Sequence, residues 1–225
     1  MVSTGVRLHP FIVLVMVAAT GCSAPAHEPR PGPSSPAAEA GKIDPANLRR
    51  LRGSFPTGYE IAEFDGVASP AKYWGLTPGW VAQPARCGAL ADPAADGSST
   101  QVLSGSGSGG IIYVALADAS STGPDTDVVA GCSHWTMKSG RTTATVDLTA
   151  APAIENAATV AMVADSRTVV EGGTETGSHA TTATAYLGDY VAFVTVVTDP
   201  GSGPSELPPD FAPRFLAQAV ATLRG

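Results

Sequence analysis

Few side chains in this 225-residue chain can do chemistry, and they are widely spaced. Apart from His9 and His27 near the start, the imidazoles are His134 and His179. A serine hydrolase needs a hydroxyl activated by such an imidazole. His179 could serve, but no spacing nominates one of the many serines. The run Ser104 to Gly110 holds no serine with glycine two residues away on both sides, so it is not a nucleophile elbow. It also lacks the Lys-Ser/Thr pair of a phosphate loop and runs into a strand where a helix should start. No His-x-x-x-His or Asp-x-Asp-x-Asp pattern occurs, so neither a metal nor a cofactor is expected. Glu171 and Glu175 have the spacing of paired carboxylates, yet they fall in a Gly/Thr turn. Trp74, Trp80 and Trp135, with Tyr73, could line a groove for a sugar or lipid, or simply fill the core. Arg141 and Arg167 could anchor an anionic headgroup, or end strands in solvent. The candidate ligand cleft is therefore Trp74, Trp135, Arg141, Arg167 and His179, with no residue nominated as catalytic.

The cysteines say more. Ahead of Cys22 lie a short basic start with Arg7 and His9, then an apolar run from Phe11 to Ala19. A spanning helix needs ~20 apolar residues, so this run reads as a signal peptide, residues 1–21. Ala19-Thr20-Gly21-Cys22 resembles a bacterial lipobox, with Ala19 in place of the usual Leu or Val. The resemblance implies lipid transfer to the Cys22 sulfur, cleavage before it, and attachment to a membrane through acyl chains. Each buried methylene contributes roughly 0.8 kcal/mol, so two or three chains hold firmly. The expected location is the extracytoplasmic face of the plasma membrane, in the cell envelope. Cys87 and Cys132 are then left as a pair in a compartment that permits disulfides. Neither belongs to a C-x-x-C motif, so the bond reads as structural rather than redox-active.

Charge excludes one class of partner. Residues 1–21 hold one arginine and no acid, leaving 12 Lys and Arg against 20 Asp and Glu, a formal charge of −8. No basic, aromatic-laced stretch offsets it, so nucleic acid is not a partner. Charged residues are 15% of the chain and hydrophobic ones 44%, enough to build a core.

The elements that must position these residues follow in order. Residues 22–42 carry five prolines, have nothing to bury, and read as an extended tether. The folded domain spans 43–225. Asp44-Pro45 starts a short basic helix through Arg52, and Tyr59 to Phe64 is a strand. Ser69-Pro70 starts a second helix holding Tyr73 and Trp74. Pro84 to Leu90 is a third, carrying Cys87. Gln101 to Leu103 and Ile111 to Leu116 are strands flanking the glycine-rich run, itself a flexible hairpin loop or bulge. Asp127 to Trp135 reads as a helix presenting Cys132 and Trp135 on one face. Arg141 to Leu148, Thr159 to Val163 and Arg167 to Val170 are strands. Thr181 to Leu187 and Tyr190 to Thr198 form a hairpin about Gly188-Asp189. Pro213 to Arg224 is an amphipathic helix that must cover a sheet face. The fold class is α+β, a single domain with a mostly antiparallel twisted sheet, flanking helices and one disulfide.

The runs Phe55 to Glu60, Ala68-Ser69-Pro70, Leu103 to Gly107, Arg167 to Gly173 and Tyr186 to Val191 are together similar to an actinobacterial, chiefly mycobacterial, lipoprotein family of unknown function. More distantly the chain resembles the extracellular sensor domains of PknH-type receptor kinases, which carry two disulfides where this chain has one cysteine pair. The resemblance implies a twisted sheet with a cleft for a small ligand. The expected function is a lipid-anchored, non-enzymatic envelope module binding a small amphiphilic ligand or an envelope protein. The alternatives are an envelope hydrolase or transferase with an unrecognised site, and a structural surface lipoprotein.

Overall fold

Tyr190 to Thr198 is apolar on both faces, as a strand covered by a layer on each side must be, and it forms the centre of the sheet. The computed structural model describes residues 41–66, 69–94, 100–198 and 207–225. The signal segment, Cys22 and the tether to Ala40 lie outside the described residues. Nine antiparallel strands form one sheet: β1 (Glu60–Asp65), β2 (Val81–Gln83), β3 (Thr100–Gly107), β4 (Gly110–Asp118), β5 (His134–Ser139), β6 (Thr142–Thr149), β7 (Ala158–Val169), β8 (Glu175–Leu187) and β9 (Tyr190–Thr198). Their order across the sheet is β1-β3-β4-β9-β8-β7-β6-β5-β2. With its flanking helices and the Cys87–Cys132 bond, this is the expected α+β architecture.

Each face has its own cover. A 3-10 helix, Pro45–Ser54, starts at Asp44, whose carboxylate accepts the Ala46 N–H. It buries Leu48 and Leu51 beside α4 (Phe211–Arg224), whose Phe215, Leu216, Ala219, Val220 and Leu223 make the apolar stripe. Together they cover Leu103, Ile112, Val114, Ala183, Ala185, Val194 and Val196 on one face of β3, β4, β9 and β8. The opposite face carries α1 (Pro70–Tyr73), α2 (Gly88–Ala91) and α3 (Thr126–Gly131). There Trp74, Leu76, Leu90 and the disulfide pack on Trp135, Met137, Val146, Met162 and Tyr186. The two covers are offset, so on the α4 side His134, Thr136 and Lys138 of β5, Thr143 and Asp147 of β6, and Asp165 and Arg167 of β7 lie in solvent.

Three expectations are corrected. The helix expected over Asp127 to Trp135 ends at Gly131; Cys132 is its cap, and Trp135 lies in strand β5, which starts at His134. Trp135, Met137 and Ser139 point inward while His134, Thr136 and Lys138 point out, a period of two that overrides the helical reading. Thr159 to Val163 and Arg167 to Val170 are parts of the single strand β7, continuous because Ala164 and Ser166 are buried between them. The glycine-rich run is not a loop: β3 continues through Gly107, and the turn is Ser108-Gly109. Gly105 and Gly107 are there for space, since a Cβ at either would collide with the rings of Phe55 and Tyr59 lying on the strand. Sequence reading also passed over β2, three residues long at the edge beside β5.

Tyr186 gives the second core a pH limit. Burial raises its phenol from the ordinary 10.0 to about 12. The folded state therefore holds this proton more tightly than the unfolded chain. The associated stability is fully present below the unfolded pKa and is lost as pH climbs from about 10 to about 12, roughly 3 kcal/mol in all. The Tyr113 phenol is raised by burial as well, and adds to the same slope. Urea unfolding across that range should show a steep alkaline loss that Tyr186→Phe flattens. An equal slope in both proteins would assign the loss elsewhere.

Candidate functional site

The uncovered half-face is ordered by strand register. On the α4 side, His134, Asp147, Val163, Thr181 and Val196 stand in one lateral row across β5 to β9. Thr136, Thr145, Asp165, His179 and Thr198 form the next, and Lys138, Thr143, Arg167 and Gly177 the third. Two imidazole–carboxylate pairs result. His134 Nδ1 lies 2.7 Å from Asp147 Oδ1, and His179 Nδ1 lies 2.8 Å from Asp165 Oδ1. Asp147 and Asp165 are diagonal neighbours on adjacent strands, roughly 7–8 Å apart by sheet geometry. Arg167 Nη1 reaches Glu175 Oε2 at 3.2 Å. All of these pairs are exposed, so each adds little to stability.

Where this face meets the first turn of α4 there is a groove of about 550 Å³. Val163, Thr181 and Val196 line it from the sheet, and Pro208, Phe211 and Pro213 from the helix side. His179, Thr198 and Asp210 add polar groups. The volume and the apolar lining with few polar groups are those of a small-ligand site. Asp165, which bonds His179, lines a neighbouring polar depression of about 670 Å³ with Arg167 and Glu175.

The structure divides the residues expected in a cleft. Arg167 and His179 stand on this face, two residues apart in the second and third rows. Trp74 and Trp135 do not line it. Both are in the core of the opposite face, each 1% exposed. The reason is volume: the two indoles fill the space between the sheet and the disulfide-linked helices. Arg141 lies in the turn between β5 and β6, where its carbonyl accepts the Val169 N–H, and it lines neither depression. Sequence reading missed Asp165, Asp147, Val163 and Phe211. The signal for the first three was strand alternation, which is legible once β6 and β7 are read as half-exposed strands.

Among the described residues no serine, threonine or cysteine side chain is hydrogen-bonded to either imidazole; Ser166, beside Asp165, instead donates from Oγ to the buried Trp74 carbonyl. Nor do the described residues contain three or more His, Cys, Asp or Glu placed to hold a metal ion. No described helix is long and apolar enough to cross a membrane.

No curated protein sequence matches this chain. In fold it is similar to the crystal structure of an uncharacterized protein of Mycobacterium smegmatis, the Rv0999 ortholog, with a TM-score of 0.60 and 20% identity over 83% of this chain and 100% of that one. The model of a family defined by a domain of unknown function, DUF5642, matches residues 44–224, and the chain belongs to that family.

Proposed function

We propose that this protein is a lipid-anchored, extracytoplasmic binding module that takes a small amphiphilic ligand in the groove between α4 and the sheet, without catalysis. The groove carries the proposal: it pairs an apolar floor, Val163, Val196 and Phe211, with a half-exposed His179 oriented by Asp165. Attachment through acyl chains on Cys22 is supported by the lipobox-like run, and an oxidising compartment by the buried disulfide. The sensor-like reading, by resemblance to PknH-type extracellular domains, is supported by the same features, a sheet with helices and a ligand-sized groove. A hydrolase is the weaker alternative, because the His179–Asp165 pair has no hydroxyl or thiol nucleophile bonded to it among the described residues.

The full chain, purified from an oxidising host and incubated with an envelope lipid and glycan extract, should show a bound mass in native mass spectrometry that denaturation releases. Thr181→Trp, which fills the groove from a half-exposed strand position, should lose that mass while keeping the fold. Val163→Trp gives a second route if the first variant does not fold. Retention of the mass in both variants, or a clean protein in the wild type, would count against the reading.

A further inference from the structure

We infer that the groove selects an amphiphile whose polar end is a protonated amine, in preference to a carboxylate or phosphate. The inference rests on the groove reading above and adds the sign of the ligand's charge.

Fixed charges around the groove decide it. The carboxylates are Asp210 on the groove wall, Asp165 behind His179, its diagonal neighbour Asp147, and Glu175 beyond. Among cations, Arg214 Nε lies 3.2 Å from Asp210 Oδ2, and Arg167 Nη1 lies 3.2 Å from Glu175 Oε2. Each guanidinium near the groove therefore already has a carboxylate. Lys138 stands in the third row on β5, beyond β6 and β7 from the groove. Asp165 and Asp147 have no guanidinium or ammonium partner and bond only to imidazoles, so carboxylates outnumber the guanidinium groups on the His179 side of the groove. An anionic headgroup placed there meets like charge, whereas an ammonium meets carboxylates and the imidazole.

The start of α4 is the one feature that would favour an anion, since a helix N-terminus carries about half a positive charge. Its donors are mostly in use. Phe211 gives its N–H to the Pro208 carbonyl, Arg214 gives its own to Asp210, and Pro213 has none. Of the first four helical residues only Ala212 could offer a donor, and Asp210 and Arg214 pair with each other at that end. One backbone donor is too few to hold an anion.

The test uses the full chain and three probes with one tail, decylamine, decanol and decanoate, each below its micelle concentration. Binding is measured by calorimetry and subtracted for that of Thr181→Trp. Decylamine should bind tightest and decanoate weakest. Asp165→Asn, which keeps the size of the side chain and an oxygen for His179, should cut the preference for amine over alcohol by about fivefold. Decanoate binding as tightly as decylamine overturns the inference and leaves the groove reading standing. No binding above the groove-filled variant by any probe overturns both.

Discussion

Replacement of Cys87 and Cys132 together by alanine is expected to lower the unfolding free energy by about 4 kcal/mol, read as a lower urea midpoint at nearly unchanged slope. The bond joins positions 45 residues apart and both sulfurs are fully buried. In the chain-entropy account, breaking that closed loop frees the unfolded chain far more than the folded one. Besides the bond, the segment from Val81 to Ala91 is held by buried Leu90 and Ala91 and by few backbone pairs. Its strand β2 pairs three residues with β5, and α2 is one turn long. A domain of this size has a margin of about 5–15 kcal/mol, so the double variant should still fold in the cold and fail on mild heating. A loss below about 1 kcal/mol would show that the loop is already ordered in the unfolded chain.

Trp74→Ala should cost a similar amount, about 3–5 kcal/mol, by removing one of the two large indoles buried beside the disulfide. The indole N–H donates to Thr182 Oγ1 at 3.0 Å, and Thr182 in turn pairs with Thr195 Oγ1 at 2.9 Å. Both threonines are fully buried, so removing the indole also leaves this hydroxyl pair without its donor. Phenylalanine separates volume from hydrogen bonding. Trp74→Phe loses volume and the N–H donor, whereas Trp135 Nε1 has no partner among the described residues, so Trp135→Phe loses only volume. The first should be more destabilising than the second by about 1–3 kcal/mol. Ligand binding in the groove should survive both, because each ring packs on the opposite face. Equal costs for the two substitutions would place no value on the Thr182 bond.

These two tryptophans also show where sequence stops. An indole is read equally well as a ligand platform or as core, and only the side of the sheet decides. The hairpin about Gly188 was legible because glycine there adopts φ 75° between two apolar strands. The cap at Asp44, the Pro70 helix start and the α4 stripe were legible for similar local reasons. Strand β5 was not, because Cys132 and Trp135 stand three apart, and that spacing imitates one face of a helix. Strand β7 was split at Asp165, since a carboxylate in mid-strand looks like a break until the face it points to is known to be open. His179 stood out as a lone imidazole, but its partner lies on another strand, fixed by a register that no local pattern encodes.

The position of β9 has a consequence for the order of folding. It is the last strand made, yet it lies between β4 and β8, pairing Ile111 with Val197 on one side and His179 with Thr198 on the other. Before it arrives, β1, β3 and β4 can form one ribbon, and β5 to β8 with β2 another, with nothing in the sheet to join them. The inner edges of both ribbons then show unpaired backbone groups beside their most apolar residues. The β8–β9 pairing is a local hairpin, whereas the β4–β9 pairing is distant in sequence and closes slowly. The sheet is thus completed when the β9 edge of the β8–β9 hairpin docks on β4, and the interval before that step is when the chain is most exposed to pairing with other chains.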